Sequence, residues 1–135
     1  RPDYKGKRIL LAEDNEINRE IAGTLIREMG IMVEEAMDGS EAVEMVRQSE
    51  EGYYDLIFMD IQMPVMDGYQ AAKVIRGLER GDACHMPIIA MTANAFEEDV
   101  REAMRAGMNA HFSKPIDLDA LEALLSKYLS GESGK

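Results

Sequence analysis

Three carboxylates in this sequence follow directly on short apolar runs, where charge is unexpected. Glu13 and Asp14 come after the run at 8–12, and Asp60 comes after the run at 56–59. An apolar run of four or five residues is typical of a buried strand. A strand of this kind carries the acid at its end to the rim of a sheet. If the two strands are parallel neighbours, all three acids meet at one edge.

Carboxylates that meet in this way need a counter-charge. Two of them ~5 Å apart at an effective dielectric constant of ~20 repel each other by roughly 3 kcal/mol. A retained proton, a basic side chain or a bound cation relieves this repulsion. Asp14 or Asp60 alone is better explained as a loop or helix cap, where aspartate is common. Three converging acids favour a metal site, and a site made of oxygen ligands alone suits Mg²⁺.

A hydroxyl and an amine follow two later predicted strands, the second of them more polar than the first. Thr92 comes after the run at 88–91, and Lys114 comes after the run at 109–113. Taken singly, Thr92 is typical of a cap and Lys114 of a solvated surface. Beside a cation they would form a pocket for a phosphoryl-like anion, whose charge is spread over three oxygens. Asp60 is then the carboxylate placed to attack phosphorus.

Five strands must hold these groups in place. Five short apolar runs alternate with longer amphipathic stretches, a pattern that predicts a parallel sheet covered by helices on both faces. The run at 32–36 is more polar than the others, as in an edge strand. We therefore predict an α/β, doubly wound, flavodoxin-like fold with five helices and strand order 2-1-3-4-5. The helices are predicted at 15–29, 39–48, 68–78, 97–105 and from 117 onward, and the first of them carries Ile17, Ile21, Leu25 and Met29 at helical spacing.

The length, net charge and cysteine count of the chain argue against several classes of function. The 135 residues suit one domain, predicted at 7–129, with 1–6 and 130–135 as linker segments of an excised fragment. The net charge of -11 argues against direct binding to nucleic acid or to anionic membranes. No run approaches the roughly 20 apolar residues that cross a bilayer. The single cysteine, Cys84, excludes an internal disulfide and favours a cytoplasmic location, even for a parent protein that is anchored in a membrane.

Four pieces of the sequence resemble the receiver domains of two-component signalling, the response-regulator type. They are LLAEDNEINR, IFMDIQMPVMDG, MTANAF and GMNAHFSKPI, and they stand in order within about residues 7 to 129. The overall sequence is also similar to that of receivers attached to hybrid sensor histidine kinases. The resemblance implies that Asp60 is the phosphoacceptor. It further implies that Glu13, Asp14 and Asp60 hold Mg²⁺ together with the backbone carbonyl of Gln62.

The resemblance also implies roles for the later pieces. Lys114 would pair with the phosphoryl group, or with Asp60 before phosphorylation. Thr92 would move toward a phosphoryl oxygen and report its presence. The bond between Lys114 and Pro115 is similar to one that is cis in the family, which would aim the amine into the site. Gln62 and Asn94 stand where the family tunes hydrolysis, and two neutral amides imply an acyl phosphate that is not unusually short-lived.

One position departs from the commonest receiver pattern. Three residues before the lysine, receivers often carry Tyr or Phe that swings inward with the threonine, whereas this chain has His111. We expect a partly exposed imidazole that switches in the same way or hardly at all. The alternative is a pH-sensitive switch, since histidine can change its charge near neutral pH. Phe112, next to it, is expected to face the core.

The function implied by the resemblance is that of a signalling domain rather than an enzyme. A partner histidine kinase or histidine phosphotransfer domain would pass its phosphoryl group to Asp60 and so shift a two-state equilibrium. The partner would dock on the exposed edge of the helix after Asp14, near Asn15, Arg19 and Gly23. The face of the last two helices is a candidate dimer surface. The parent chain could itself carry the kinase.

Three other functions are weighed against this one. A degenerate receiver would act only as a docking module. This chain, however, has the expected residue type at all five positions of the site, which are Glu13, Asp14, Asp60, Thr92 and Lys114. A phosphatase with an aspartate nucleophile needs a second aspartate two residues later, where this chain has Gln62. A flavin-binding module would share the fold, yet the acidic loop at 13–16 would repel phosphate. A Walker-type phosphate loop is absent from the sequence.

Overall fold

The computed structural model of the chain describes residues 4–93, 97–114 and 116–129. Five strands and five helices alternate along these residues. The strands are β1 Arg8–Ala12, β2 Met32–Ala36, β3 Leu56–Asp60, β4 Ile88–Thr92 and β5 Ala110–Ser113. The helices are α1 Glu16–Glu28, α2 Gly39–Gln48, α3 Gly68–Arg76, α4 Glu97–Arg105 and α5 Leu118–Leu129. The predictions for Asn94 and Pro115 lie outside the described residues.

All strand pairs are parallel, and their order is β2-β1-β3-β4-β5, which confirms the predicted topology. Every residue of β3 and β4 is buried, whereas β2 is largely open to solvent, as expected of an edge strand. The register aligns Ala12 with Met59 and Asp60 with Met91, so the strands end at nearly the same level. The groups that follow these strands therefore lie at one rim of the sheet.

Alternate residues along the strands pack into two separate hydrophobic cores, one on each face of the sheet. Leu10 and Ile57 pack on one face of the sheet with α2, α3 and α4, and Leu11 and Phe58 pack on the other face with α1 and α5. Tyr4, which precedes the predicted domain boundary, is only 3% exposed and belongs to the second core. The domain limits of 7–129 stay a prediction. In the part of the chain that the structure describes, no helix is both long and apolar enough to span a bilayer.

The apolar stripe of the first helix faces the core only in part: Leu25 and Met29 pack against it, whereas the N-terminal half of the stripe does not. Ile17 is 69% exposed and Ile21 is 51% exposed, whereas Ala22 and Ile26, one position further round, are buried. Smaller residues let α1 approach the sheet closely, so the helix is rotated relative to the stripe that the sequence suggested. In α3, Val74 is similarly turned outward at 36% exposure. That helix ends at Arg76, two residues before the predicted limit of 78.

Candidate functional site

The three predicted acids do converge at the rim of the sheet. One carboxylate oxygen from each of Glu13, Asp14 and Asp60 lies within 4.8 Å of the other two. Glu13 is 1% exposed and Asp60 is 4% exposed, while Asp14 is open to solvent. The backbone N–H of Glu13 donates to the carbonyl of Ala36 at 3.0 Å, which extends the β1–β2 pairing by one residue. The sheet itself thus fixes where the first acid stands.

The start of α1 orients Glu13 toward the site. The backbone N–H of Asn15 donates to Glu13 Oε2 at 3.1 Å, and the guanidinium of Arg19 donates to the Glu13 carbonyl at 2.8 Å. Arg19 also pairs with Glu35 on β2 at 3.4 Å. Asn15 caps the helix by accepting from the N–H of Asn18 at 2.9 Å. A capped helix and one arginine therefore hold the loop that carries the acidic pair.

Lys114 places its amine between two of the carboxylates. Its Nζ lies 2.9 Å from Glu13 Oε1 and 3.2 Å from Asp60 Oδ2. Its backbone N–H donates to the carbonyl of Thr92 at 2.8 Å, which holds the residue after β5 level with the end of β4. Burial alone would lower the pKa of Lys114, but the Glu13 and Asp60 carboxylates outweigh it and raise that pKa. The amine is therefore a fixed positive charge at neutral pH.

The Asp60 carboxyl binds its proton unusually tightly. Burial, followed by the hydrogen bond and the charge of Glu13, raises the pKa of Asp60 to about 7. The Gln62 N–H, which donates to Asp60 Oδ1 at 3.2 Å, and the Lys114 amine act in the opposite direction. Without further positive charge, an appreciable fraction of Asp60 carries a proton near pH 7. A cation at this place would release that proton.

The donor set of the cluster fits a hard divalent cation. The three side chains of the cluster that could ligate a cation are all carboxylates, two of them buried and the third exposed at the mouth of the site. Oxygen ligands with room for water on one side are the surroundings that Mg²⁺ prefers. The role predicted for the Gln62 carbonyl stays a prediction, since the contact observed at Gln62 is the one from its N–H.

Thr92 and His111 are placed differently with respect to solvent. Thr92 ends β4 and is 3% exposed, and its Cα is paired with that of Ser113 on β5. His111 lies on β5 opposite Ala90 and is exposed, in agreement with the expected imidazole at the surface. Phe112 is buried at 6% exposure, with its ring centroid 6.2 Å from that of Phe58, which confirms that it faces the core. The switch roles of Thr92 and His111 stay predictions.

An apolar groove connects the acidic cluster to the exposed side of α1. Its walls are formed by Ile21, Ala22, Met91 and Ile116, and Glu13 and Lys114 stand at its polar end. This groove is not predicted from the sequence, in which Ile17 and Ile21 belong to the ordinary apolar stripe of a helix. The signal that could have found it is Ala22, a small residue beside the stripe that packs into the core.

The chain is similar to signalling proteins over nearly its whole length. A family model described as a response regulator receiver domain matches residues 9–126. The peroxide stress-activated histidine kinase mak1 of Schizosaccharomyces pombe is 39% identical over 126 residues, a match that covers 93% of this chain and 8% of that protein. Across the curated relatives considered, the chain spans between 5% and 16% of their length.

Two solved structures share the fold as well as the sequence pattern. One is the receiver domain of sensor histidine kinase PA1611 from Pseudomonas aeruginosa, with a magnesium ion coordinated in its active-site cleft. It is 37% identical, with a TM-score of 0.82, and the match covers 92% of this chain and 98% of that one. The other is the co-crystal structure of the Saccharomyces cerevisiae histidine phosphotransfer protein Ypd1 and the receiver domain of Ssk1. It is 35% identical, with a TM-score of 0.80, and covers 95% of this chain and 90% of that one.

Proposed function

This chain belongs to the family of response regulator receiver domains, signalling domains of two-component systems, and on that premise we propose that Asp60 accepts a phosphoryl group from a phosphohistidine. The observation that carries the proposal is the meeting of Asp60 with Lys114 and two further acids at one rim of the sheet. A buried carboxylate beside a fixed amine is a nucleophile whose surroundings already suit a transferred anion.

The chain's own residues perform the transfer. An oxygen of Asp60 attacks phosphorus, the P–N bond to the donor imidazole breaks, and the imidazole leaves with the electron pair. Lys114 bridges Glu13 and Asp60 at 2.9 and 3.2 Å. Its ammonium group then forms an ion pair with the incoming phosphoryl oxygens. The Thr92 hydroxyl, at the end of the neighbouring strand, donates to another of these oxygens. Mg²⁺ held by Glu13, Asp14 and Asp60 would supply the positive charge that phosphoryl transfer requires.

The partner that delivers the phosphoryl group is a histidine phosphotransfer domain or a histidine kinase. The exposed Ile17 and Ile21 and the groove beside them offer an apolar surface next to the acidic cluster. An amphipathic helix that carries a phosphohistidine could lay its apolar side on this surface and direct the imidazole to Asp60. Similarity to a receiver crystallised with the phosphotransfer protein Ypd1 supports this partner class.

Phosphorylation then shifts the receiver between two conformations. Thr92 would draw toward the phosphoryl group and bias the arrangement of α4 and β5, with His111 on the outer side of that strand. Gln62 and Asn94, as neutral amides, supply no strong base for attack by water, so the acyl phosphate would not be unusually short-lived. No contact of the described residues favours the phosphatase alternative, for which position 62 would need an acid.

The proposal is tested by exposing the protein to acetyl phosphate with Mg²⁺ and measuring its intact mass. We expect the mass of one phosphoryl group to be added, no addition in Asp60→Asn, and no addition when a chelator is present. Asp119→Asn, which changes an exposed acid in the first turn of α5, is the matched control and should label like the parent protein. Labelling that persists in Asp60→Asn, or that resides on serine or threonine, would reject the assignment.

A further inference from the structure

Val65, in the loop that follows Asp60, has an unfavourable backbone conformation. Among the described residues other than glycine, only Val65 has a positive φ, at 69°. The Met66 N–H donates to the Pro64 carbonyl at 2.7 Å and closes a three-residue turn around it. Turns of this type are rare, and a β-branched side chain is poorly tolerated at positive φ. The valine therefore costs stability where it stands.

The turn is imposed by its surroundings rather than by Val65. The Met66 carbonyl accepts from the Gly39 N–H at 3.0 Å, and a Cβ at Gly39 would lie 2.3 Å from that oxygen. At the other end, Gly68 donates to the Ile61 carbonyl at 3.2 Å. Both ends of the loop are thus clamped against backbone. A residue that tolerates positive φ could occupy position 65 without altering the clamps.

Among the described residues, the Val65 side chain gains little burial that would offset this strain. It is 83% exposed, the largest value among the exposed large hydrophobic residues of the described chain. An apolar group that is left in water and sits on a strained backbone contributes no burial to folding. Strain of this kind persists at sites where it serves a function. An exposed apolar side chain on a strained backbone is a feature of surfaces that another molecule covers.

The position of other exposed hydrophobic residues indicates which molecule that is. The three most exposed large hydrophobic residues of the described chain are Val65 at 83%, Ile17 at 69% and Met37 at 56%. They follow the C-terminal ends of β3, β1 and β2 respectively, so all three stand around the rim where Asp60 lies. A macromolecule that reaches Asp60 must approach this rim, whereas a small phosphate donor passes between these side chains.

We propose that Val65 is a docking residue that the phosphohistidine-bearing partner covers during transfer, and that it contributes to the choice of partner. This inference rests on the proposed function, because it takes Asp60 as the acceptor. It assigns to the loop after β3 a separate contact, apart from the apolar face of α1. The contact acts in the encounter with a protein donor and is not used by a small one.

The experiment compares two phosphoryl donors on Val65→Asn. Asparagine tolerates positive φ and removes the apolar surface, so we expect thermal stability to rise by about 3 °C. The rate of transfer from phosphorylated Ypd1 should fall about tenfold, while labelling by acetyl phosphate stays unchanged. Val74→Asn, which alters a partly exposed valine on α3, is the matched control and should change neither rate. Val65→Gly, which also tolerates positive φ but carries no side chain, should reproduce the loss of transfer.

Other results would contradict either the docking role of Val65 or the assignment of Asp60 as the acceptor. Unchanged transfer from Ypd1 in Val65→Asn would overturn the docking role. An equal loss of phosphorylation with both donors would show that Val65 affects the reaction at Asp60 itself. This result would also overturn the docking role. A dimer that sedimentation detects in the wild type and that Val65→Asn abolishes, with transfer unchanged, would assign the surface to a second copy. Absence of label from both donors would instead reject Asp60 as the acceptor.

Discussion

Asp60 is under two opposed demands. As the proposed phosphoacceptor it would have to be ionised to attack phosphorus, yet burial and the nearby Glu13 raise its pKa to about 7. Lys114 offsets part of this through its contact with Asp60 Oδ2 at 3.2 Å. The remaining excess of negative charge favours a cation, so the same electrostatics that hold a proton on Asp60 also prepare a metal site.

The metal-free protein should lose stability as the pH rises through the range in which Asp60 ionises. The folded-state pKa of about 7 lies above that of an unfolded aspartate, near ~3.9, so the folded state holds the proton more tightly. Relative to Asp60→Asn, the wild type should lose up to about 1.4 kcal/mol per pH unit between roughly pH 4 and 7. Urea unfolding over this range measures the difference. Parallel curves for the two proteins would contradict the assignment.

Single residues differ in how far the sequence reveals their role. Asp60, Glu13 and Asp14 could be predicted to meet because each follows an apolar run, and parallel strands bring such ends to one rim. The conformation of Val65 could not be predicted. It depends on the contacts that Gly39 and Gly68 make with the loop, and these contacts exist only once α2 and β3 are packed together.

Among the elements, α3 is joined by Arg76 to the loop before β4 and to the turn before β5. Its guanidinium donates to the carbonyls of Gly107 and Ala83, each at 2.9 Å, and to Asn109 Oδ1 at 2.8 Å. The same Asn109 oxygen accepts from the backbone N–H of Ile88 at 2.8 Å. One side chain thus joins α3, the loop before β4 and the turn before β5.

Arg76→Met should destabilise the fold without affecting the chemistry at Asp60. Three acceptors lose a charged donor, which should cost about 3 kcal/mol of unfolding free energy. Arg105→Met, which removes an exposed pair with Glu102, should change stability by less than about 0.5 kcal/mol. Chemical denaturation compares the two variants, and labelling by acetyl phosphate should be retained in both. Equal losses for the two arginines would refute the role of Arg76 as a clamp.

Strands were easier to predict than the rotation of helices. The apolar runs of β1, β3 and β4 allow little other than a buried strand, and the polar β2 could be placed at the edge. For α1, the sequence offered Ile17 and Ile21 as the inner stripe, whereas the helix packs through Ala22 and Ile26. Hydrophobicity alone cannot distinguish an apolar face that a partner covers from one that the core covers.

Charge is distributed unevenly over the whole molecule. Acidic residues occupy the first turns of four helices, which begin at the Asp60 end, and basic residues occupy the last turns of all five described helices. This arrangement complements the helix dipoles. It also concentrates negative potential around the acidic cluster, within a chain whose net charge is -11. A divalent cation is therefore attracted by the molecule as well as by its ligands.

Mg²⁺ should stabilise the wild-type fold more than a monovalent salt of equal ionic strength does. Any salt screens the net charge, so only the excess effect of Mg²⁺ reports a site. Binding to the folded state alone contributes about 2.7 kcal/mol when the free ion is at ~100 times its dissociation constant. Thermal unfolding of the wild type, Asp14→Asn and Asp119→Asn measures this excess. It should vanish only in Asp14→Asn, and an excess that survives there would argue against the acidic cluster as the site.

The most direct measurement traps the phosphorylated side chain itself. Borohydride reduces an aspartyl phosphate to homoserine, and peptide mass spectrometry locates the converted residue. After reaction with a phosphoryl donor and Mg²⁺, we predict homoserine at position 60 and an unchanged Asp14. Conversion at Asp14, or a peptide containing Asp60 that is never reduced although the protein gains phosphate, would contradict Asp60 as the acceptor.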